Sequence, residues 1–231
     1  IEKKWQQALT AISETKKEKF IQFDFSATPY TITGSGQKRT KHHFPHIIID
    51  FQLVQAIKAG LVKMVAIDKR KEIAAAPLDF KADRVGNDVV SLSEGQRKML
   101  RIGLHKLKIL EDEFTGLDKS KFPKMLVMCE DTKVVPYVTL FLKQEGIDEE
   151  NIMEIHSNRK GDVSEKEWIE IKQKLFSIDK RAVPKIIVSV LMLREGFDVN
   201  NICVIVPLRA STSTILLEQT IGRGLRLMWR E

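Results

Sequence analysis

A chain of 231 residues with 43% hydrophobic content is long enough to bury a sizeable core and too apolar to be a disordered tail. Lys and Arg number 38 against 31 Asp and Glu, a formal charge of +7 and a pI near 9.3, which favours an anionic partner without singling out nucleic acid. No stretch reaches the roughly 18 uninterrupted apolar residues of a membrane span, and the opening IEKKWQQALT has no secretory core, so no membrane partner is expected and the expected compartment is cytoplasmic.

Residues 1 to 19 carry Ile1, Trp5, Ala8, Leu9 and Ile12 at helical spacing, an amphipathic helix. Phe20 to Phe25 alternates like a short strand and ends at Ser26-Ala27-Thr28-Pro29, where proline stops the ladder. Residues 31 to 46 are polar, basic and Gly-containing, and are expected to be a loop or linker. Within them GSGQKRT lacks the G-x-x-x-x-G-K-S/T spacing of a phosphate loop. His42, His43 and His46 have no acidic or Cys neighbour to complete a metal site, so no metal is expected there. The KRTKHH cluster reads as a solvated linker more readily than as a phosphate contact.

Ile47 to Phe51 is expected to be a strand, Gln52 to Ala59 a short helix with Gly60 as its C′ residue, and Leu61 to Ile67 another strand. Residues 74 to 92 lack a pattern and read as an irregular excursion. Ser93 with Gln96 makes a capping box for a helix to about Phe114, with Met99, Leu100, Leu104, Leu107 and Leu110 on its apolar side. Its other face, with Arg97, Lys98, Arg101, Lys106 and Lys108, reads as a solvated face more readily than as a nucleic-acid track.

From Lys124 the alternation becomes regular. Strand Met125 to Cys129 leads into Glu130-Asp131-Thr132, a helix to Glu145, Gly146, and strand Ile152 to His156. Ser164 and Glu167 form a second capping box, starting a helix to about Ile178, and Ile186 to Val190 is the next strand. Strands separated by helices require crossovers and hence a parallel sheet, an α/β fold. Cys129 and Cys203 lie inside the apolar runs MLVMC and ICVIV, as small buried hydrophobes in a reducing compartment, and no Cys/His spacing suggests zinc.

The last fifty residues concentrate the chemistry. KIIVSV is followed by LREGFD (Leu193 to Asp198), then ICVIVP and QTIGRGLR (Gln219 to Arg226). Loops that follow buried strands are expected at the strands' carboxyl ends, where open α/β sheets bind ligands. Arg223 and Arg226 present planar donor forks suited to phosphate oxygens. Gly222 and Gly224 keep the backbone beside them small, Gly196 permits a tight turn, and Asp198 can accept from a ribose hydroxyl. Taken singly, each stretch is equally an ordinary helix end or turn.

In order and spacing, REGFD and QTIGRGLR resemble motifs V and VI of superfamily 2 helicases and translocases, and FSATP (Phe25 to Pro29) resembles their motif III. DFQLVQAIKAGLVK, which by physics is only a connector and a helix, resembles the stretch after the first motor domain in the restriction subunit of type III restriction-modification enzymes. The resemblance implies a RecA-like parallel sheet flanked by helices, the second motor domain, over residues 47–231. Residues 31–46 would be a linker, and residues 1–30 a short remnant of the first RecA-like domain.

By the same resemblance, Arg223 and Arg226 are catalytic arginine fingers, and Gly196, Asp198 and Gln219 contact the nucleotide. Ser26, Ala27 and Thr28 couple nucleotide state to movement. Asp131 and Thr132, in the place of motif IV, together with Ser189 and Arg194, lie against nucleic acid. Ser189-Val190 replaces the Ala-Thr common at the head of motif V, which weakens the case for a hydroxyl contact there. The implied ligands are ATP and Mg²⁺, with Mg²⁺ held by the first domain, and the implied partners are double-stranded DNA and a methylation and recognition subunit.

No Walker A loop, DExH strand or nuclease pattern occurs in these residues, so the chain is expected to be a piece of a longer polypeptide and inactive alone as an ATPase or deoxyribonuclease. An excision-repair helicase subunit of the UvrB type shares LREG-x-D and QTIGR and is the alternative enzyme. A catalytically inert RecA-like binding module is the alternative of a different class.

Overall fold

The computed structural model describes residues 2–26, 30–34, 40–44, 46–66, 81–155, 165–190, 199–208 and 221–228. Its contacts divide the chain into two compact units, Ile1–Asp50 and Phe51–Glu231.

In the first unit, helix α1 (Glu2–Lys16) runs into a 3-10 turn, Lys17–Lys19. Residues 20–26 form no strand, contrary to expectation, and Ile21 and Phe25 are 74% and 98% exposed. Alternation alone does not make a strand, because its backbone groups need a neighbour to bond, and no described strand pairs with this segment. The expected linker also departs from expectation. Strand β1 (Tyr30–Thr33) pairs antiparallel with β2 (Thr40–His43), Tyr30 opposite His43 and Thr33 opposite Thr40. Tyr-Thr-Ile-Thr has the β-branched and aromatic content of a strand. Thr33 Oγ1 and His42 Nε2 share a hydrogen bond of 2.8 Å, while the Lys41 ammonium sits 3.8 Å from the Tyr30 ring centroid. His42 and His43 therefore belong to a hairpin and His46 lies beyond it; no group of three possible metal ligands comes together among the described residues.

The second unit opens with α2 (Leu53–Lys58). Gln52 and Gln55 bond each other's backbone N–H in a capping box, and Gly60, at φ +68°, follows the helix end. The flanking strands expected at 47–51 and 61–67 are not formed: residues 47–51 and 61–66 are irregular, and Ile48, Ile49 and Met64 stay largely exposed. The described part of the expected irregular excursion is instead a hairpin, β3 (Asp83–Val85) with β4 (Asp88–Ser91), closed by Gly86-Asn87 with Gly86 at φ +60°. Gly at the first of two central positions is a hairpin-turn pattern, and it was the cue in Val-Gly-Asn-Asp.

Helix α3 (Glu94–Leu117) starts at the Ser93–Gln96 capping box, both bonds 3.2 Å, and buries Leu100, Gly103 and Leu107 along one side. It is followed by β5 (Lys124–Cys129), α4 (Val135–Gln144), β6 (Ile152–Ile155), α5 (Glu165–Leu175), β7 (Ile186–Ser189) and β8 (Ile202–Leu208). The Ser164 cap expected before α5 lies outside the described residues. The four strands form a parallel sheet in the order β6-β7-β5-β8.

Strand periodicity makes two apolar faces. Met125, Val127 and Cys129 of β5 join Val188, Val204 and Val206 against Leu100 and Leu107 of α3 and Val138 and Leu142 of α4. Leu126, Ile187 and Ile202 pack on the opposite face with Leu175 of α5 and Ile178. A register shift between Lys124 and Met125 places Ile202 on one face and Val204 on the other although they are two residues apart. The result is the expected three-layer α/β arrangement, consistent with a RecA-like domain. No described helix is long and apolar enough to cross a membrane.

At the amino end of the sheet the packing is polar. Lys124 has no exposed surface; its Nζ donates to the carbonyls of Arg181 (2.8 Å) and Pro184 (2.7 Å). Asn201 Nδ2 donates to the carbonyls of Phe122 (3.0 Å) and Asp179 (2.6 Å), and the Lys124 N–H donates to Asn201 O at 2.7 Å. Burial, helped by the nearby Arg181 charge, pulls the Lys124 pKa down to about 8. A neutral amine still has two donors for its two carbonyls.

Two glycines of α3 are expected to respond oppositely to substitution. A Cβ at Gly103 would lie 2.5 Å from Val206 Cγ2 and 2.9 Å from Met125 Sδ, whereas one at Gly116 meets nothing within 4 Å. Gly103→Val should cost roughly 1–3 kcal/mol by overpacking, and Gly116→Ala should gain up to about 1 kcal/mol from helix propensity. Urea midpoints at unchanged m-value read both, and equal midpoints for the two variants would refute the close approach of α3 to the sheet.

The Lys124 shift fixes the sign of a pH dependence. Folded Lys124 releases its proton near pH 8, whereas an unfolded lysine holds it to about 10.4. Between these values the unfolded state binds more protons, so stability rises with pH. The stability of the parent protein relative to Lys124→Met should therefore grow from pH 8 to pH 10, by at most about 1.4 kcal/mol per pH unit; a flat difference would contradict a buried, protonatable Lys124.

Candidate functional site

At the carboxyl end of β5 the chain turns through Glu130, Asp131 and Thr132 into α4. Asp131 Oδ1 accepts the N–H of Lys133 (2.8 Å) and of Val134 (3.3 Å), so its carboxylate organises the turn. Its Oδ2, together with Glu130 Oε1, accepts from Nη2 of Arg84, the middle residue of β3. Those two carboxylates raise the Arg84 pKa further, Glu130 contributing first. Lys133 Nζ donates to Asn87 O (2.8 Å) and Asp88 Oδ1 (3.1 Å), and Tyr137 OH donates to Val89 O (2.6 Å). The β3–β4 hairpin is thereby fastened beside the turn. Sequence reading did not find Arg84, which stands in a stretch without periodicity; the Gly-Asn turn was the available cue.

Of the expected nucleic-acid residues, the Asp131 side chain is thus engaged within the fold, and Thr132 is half-buried beside it. Ser189 ends β7, paired with Met128 and Ile155 on either side, and is 3% exposed, so its hydroxyl is not presented at the surface. Arg194, Gly196, Asp198 and Gln219 lie outside the described residues, as do Ala27 and Thr28, while Ser26 is exposed.

The arginine-bearing segment is described from Ile221 to Met228. Among the described residues, 221–224 are helical, with Arg223 in that stretch and Arg226 in a bend beyond its end. Both are half-buried, and Leu225 and Met228 are buried. A Cβ on Gly224 would lie 2.9 Å from Ile205 Cδ1 and 3.8 Å from Ile202 Cγ2, so the backbone there runs close against β8; Gly222 faces open space. These neighbours belong to the first half of β8, so the segment lies along that part of the strand and not at its carboxyl end, where the loop reading put it.

Lys63, from the irregular stretch after α2, reaches the same place. Its Nζ donates to the carbonyls of Asn200 (2.7 Å), Ile202 (2.8 Å) and Gly224 (3.2 Å), and its N–H to that of Leu225 (2.8 Å). Burial lowers its pKa, opposed by the nearby Cys203. Burial raises both thiols, Cys129 to about 12, as inert packing groups require. Cys203 Sγ lies 3.4 Å from Met228 Sδ, a further contact of the segment with β8. Within a run read as a strand, Lys63 carried no sequence signal.

Residues 105–228, more than half of the chain, match the helicase conserved C-terminal domain. The matched span begins inside α3, takes in the whole parallel sheet and ends with the arginine-bearing segment. Comparison with curated proteins gave no match.

Proposed function

The chain belongs to the helicase conserved C-terminal domain family, and we propose that it is the second motor domain of an ATP-driven DNA translocase, the restriction subunit of a type III restriction endonuclease. The observation that carries this reading is the pair of half-buried guanidiniums, Arg223 and Arg226, on a short segment packed between β8 and Lys63. The DFQLVQAIKAGLVK and GRGLRL stretches support the finer, type III assignment.

In this reading ATP is bound between this domain and a first motor domain that supplies the phosphate cradle and holds Mg²⁺, which neutralises charge on the phosphates. No three His, Cys, Asp or Glu side chains come together as a metal site among the described residues. Arg223 and Arg226 stabilise the charge that develops on the γ-phosphoryl oxygens when the cleft closes. Asp198 accepts from the ribose, with Gly196 and Gln219 close to the nucleotide, and Ser26, Ala27 and Thr28 transmit its state to the DNA-bearing surface. DNA lies against the Asp131-Thr132 turn, through its backbone, and against Arg194; a methylation and recognition subunit supplies site choice.

In the complete enzyme, Arg223→Lys or Arg226→Lys keeps the charge and loses the planar fork. Either change should lower kcat for ATP at least about tenfold with fold and DNA affinity nearly intact, and a stable double variant with normal turnover would make the arginines structural. DNA cleavage that requires both ATP and a methylation subunit supports the type III assignment; ATP-driven strand separation without cleavage contradicts it.

The chain by itself should turn over no ATP above a buffer blank. It should bind DNA weakly and without sequence preference, with log affinity falling linearly against log salt as counterions are released. Salt-insensitive binding, or strong preference for one duplex, would count against the DNA surface.

A further inference from the structure

The helical residues described at 221–224 end at Gly224, and Arg226 follows in a bend. Tertiary contacts fix this end of the segment. Lys63 spends all three ammonium protons on backbone carbonyls, two at the start of β8 and one at Gly224, and uses its own N–H on the next carbonyl, that of Leu225. Gly224 and Leu225 follow directly on Arg223 and precede Arg226. A cation at the carboxyl end of a helical turn is also favoured by the exposed carbonyl dipoles there.

The arrangement leaves Lys63 no donor for a phosphate or for solvent, so a direct ligand contact does not account for it. Its acceptors stand 137 to 161 residues away in sequence, so one side chain joins the stretch after α2, the first residues of β8 and the arginine-bearing segment. Removing the ammonium would take one hydrogen-bond donor from each of three carbonyls in a half-buried place.

We infer that Lys63 is a positioning residue, which holds the segment 221–228 against β8 and so fixes where Arg223 and Arg226 are presented. This rests on the catalytic reading of the two arginines proposed above. Lys63 touches neither nucleotide nor DNA; it acts through the arginines.

The test uses Lys63→Met, which keeps the length of the side chain and removes its donors. Amide hydrogen exchange of the chain should rise about tenfold or more in peptides covering 221–228, with α3 and β5 unchanged. In the complete enzyme kcat for ATP should fall at least about fivefold while KM stays within about twofold, as expected for a lost transition-state contact. Unchanged exchange at 221–228, or an equal rise in α3 and β5, would overturn the inference. So would wild-type turnover in Lys63→Met when Arg223→Lys and Arg226→Lys are slowed. Normal turnover in all three variants would instead overturn the catalytic reading of the arginines, and the positioning role with it.

Discussion

Strand β5 is hydrogen-bonded along both edges, to β7 from Met125 to Met128 and to β8 from Lys124 to Cys129, and it is buried on both faces. Because its neighbours are parallel to it, connections between strands cross a face of the sheet: α4 covers one face together with α3, which precedes β5, and α5 and Ile178 cover the other. The chemistry of the two ends follows from that one strand. Its carboxyl end delivers Glu130 and Asp131 to the surface beside the β3–β4 hairpin. Its amino end brings Lys124 into the interior, where only backbone carbonyls can receive it.

The two ends therefore differ in kind. At the amino end, Lys124, Asn201 and Lys63 spend their side-chain donors on backbone carbonyls, and the need for such partners grows with burial. These are fixing interactions, and the charged groups among them have lowered pKa values because the surroundings do not solvate them. At the carboxyl end the ionic contacts of Arg84 and Lys133 are partly solvated and tie a hairpin to a turn. Contacts of that kind are individually weak and suit a surface that meets a ligand. The arginine-bearing segment belongs by packing to the first kind, through Gly224 and Lys63, and by its proposed role serves a bound nucleotide.

The parallel sheet and its covering helices were legible in the sequence because each strand is a short apolar run between helices with recognisable starts. The Ser93–Gln96 box, the Pro136 at the head of α4 and Gly146 after it all stand where the helices begin and end. What was misread lay outside that alternation. Phe20 to Phe25 and Ile47 to Phe51 have strand composition, yet pairing is decided by a neighbour that a local pattern does not reveal. The hairpins at Tyr30 to His43 and Asp83 to Ser91 were passed over because polar residues dominate them, although Tyr-Thr-Ile-Thr and Gly-Asn were there to be read. Arg223 and Arg226 stood out in the sequence as candidates by their fork chemistry, and their role remains the proposal made above. Lys63 did not stand out, since a buried lysine among carbonyls is defined by residues more than a hundred positions away.

The proposed role of the two arginines makes a direct demand on a transition-state mimic, because a group that acts only as charge develops should bind the mimic and ignore the ground state. The measurement is the affinity of the complete enzyme for ADP with aluminium fluoride against its affinity for ADP alone, in the parent and in the Arg223→Lys, Arg226→Lys double variant. The expected result is a mimic bound at least about a hundredfold more tightly than ADP by the parent, with most of that preference lost in the variant and ADP affinity unchanged. Equal preference for the mimic in both proteins would contradict the catalytic role and leave Arg223 and Arg226 as parts of the packing against β8.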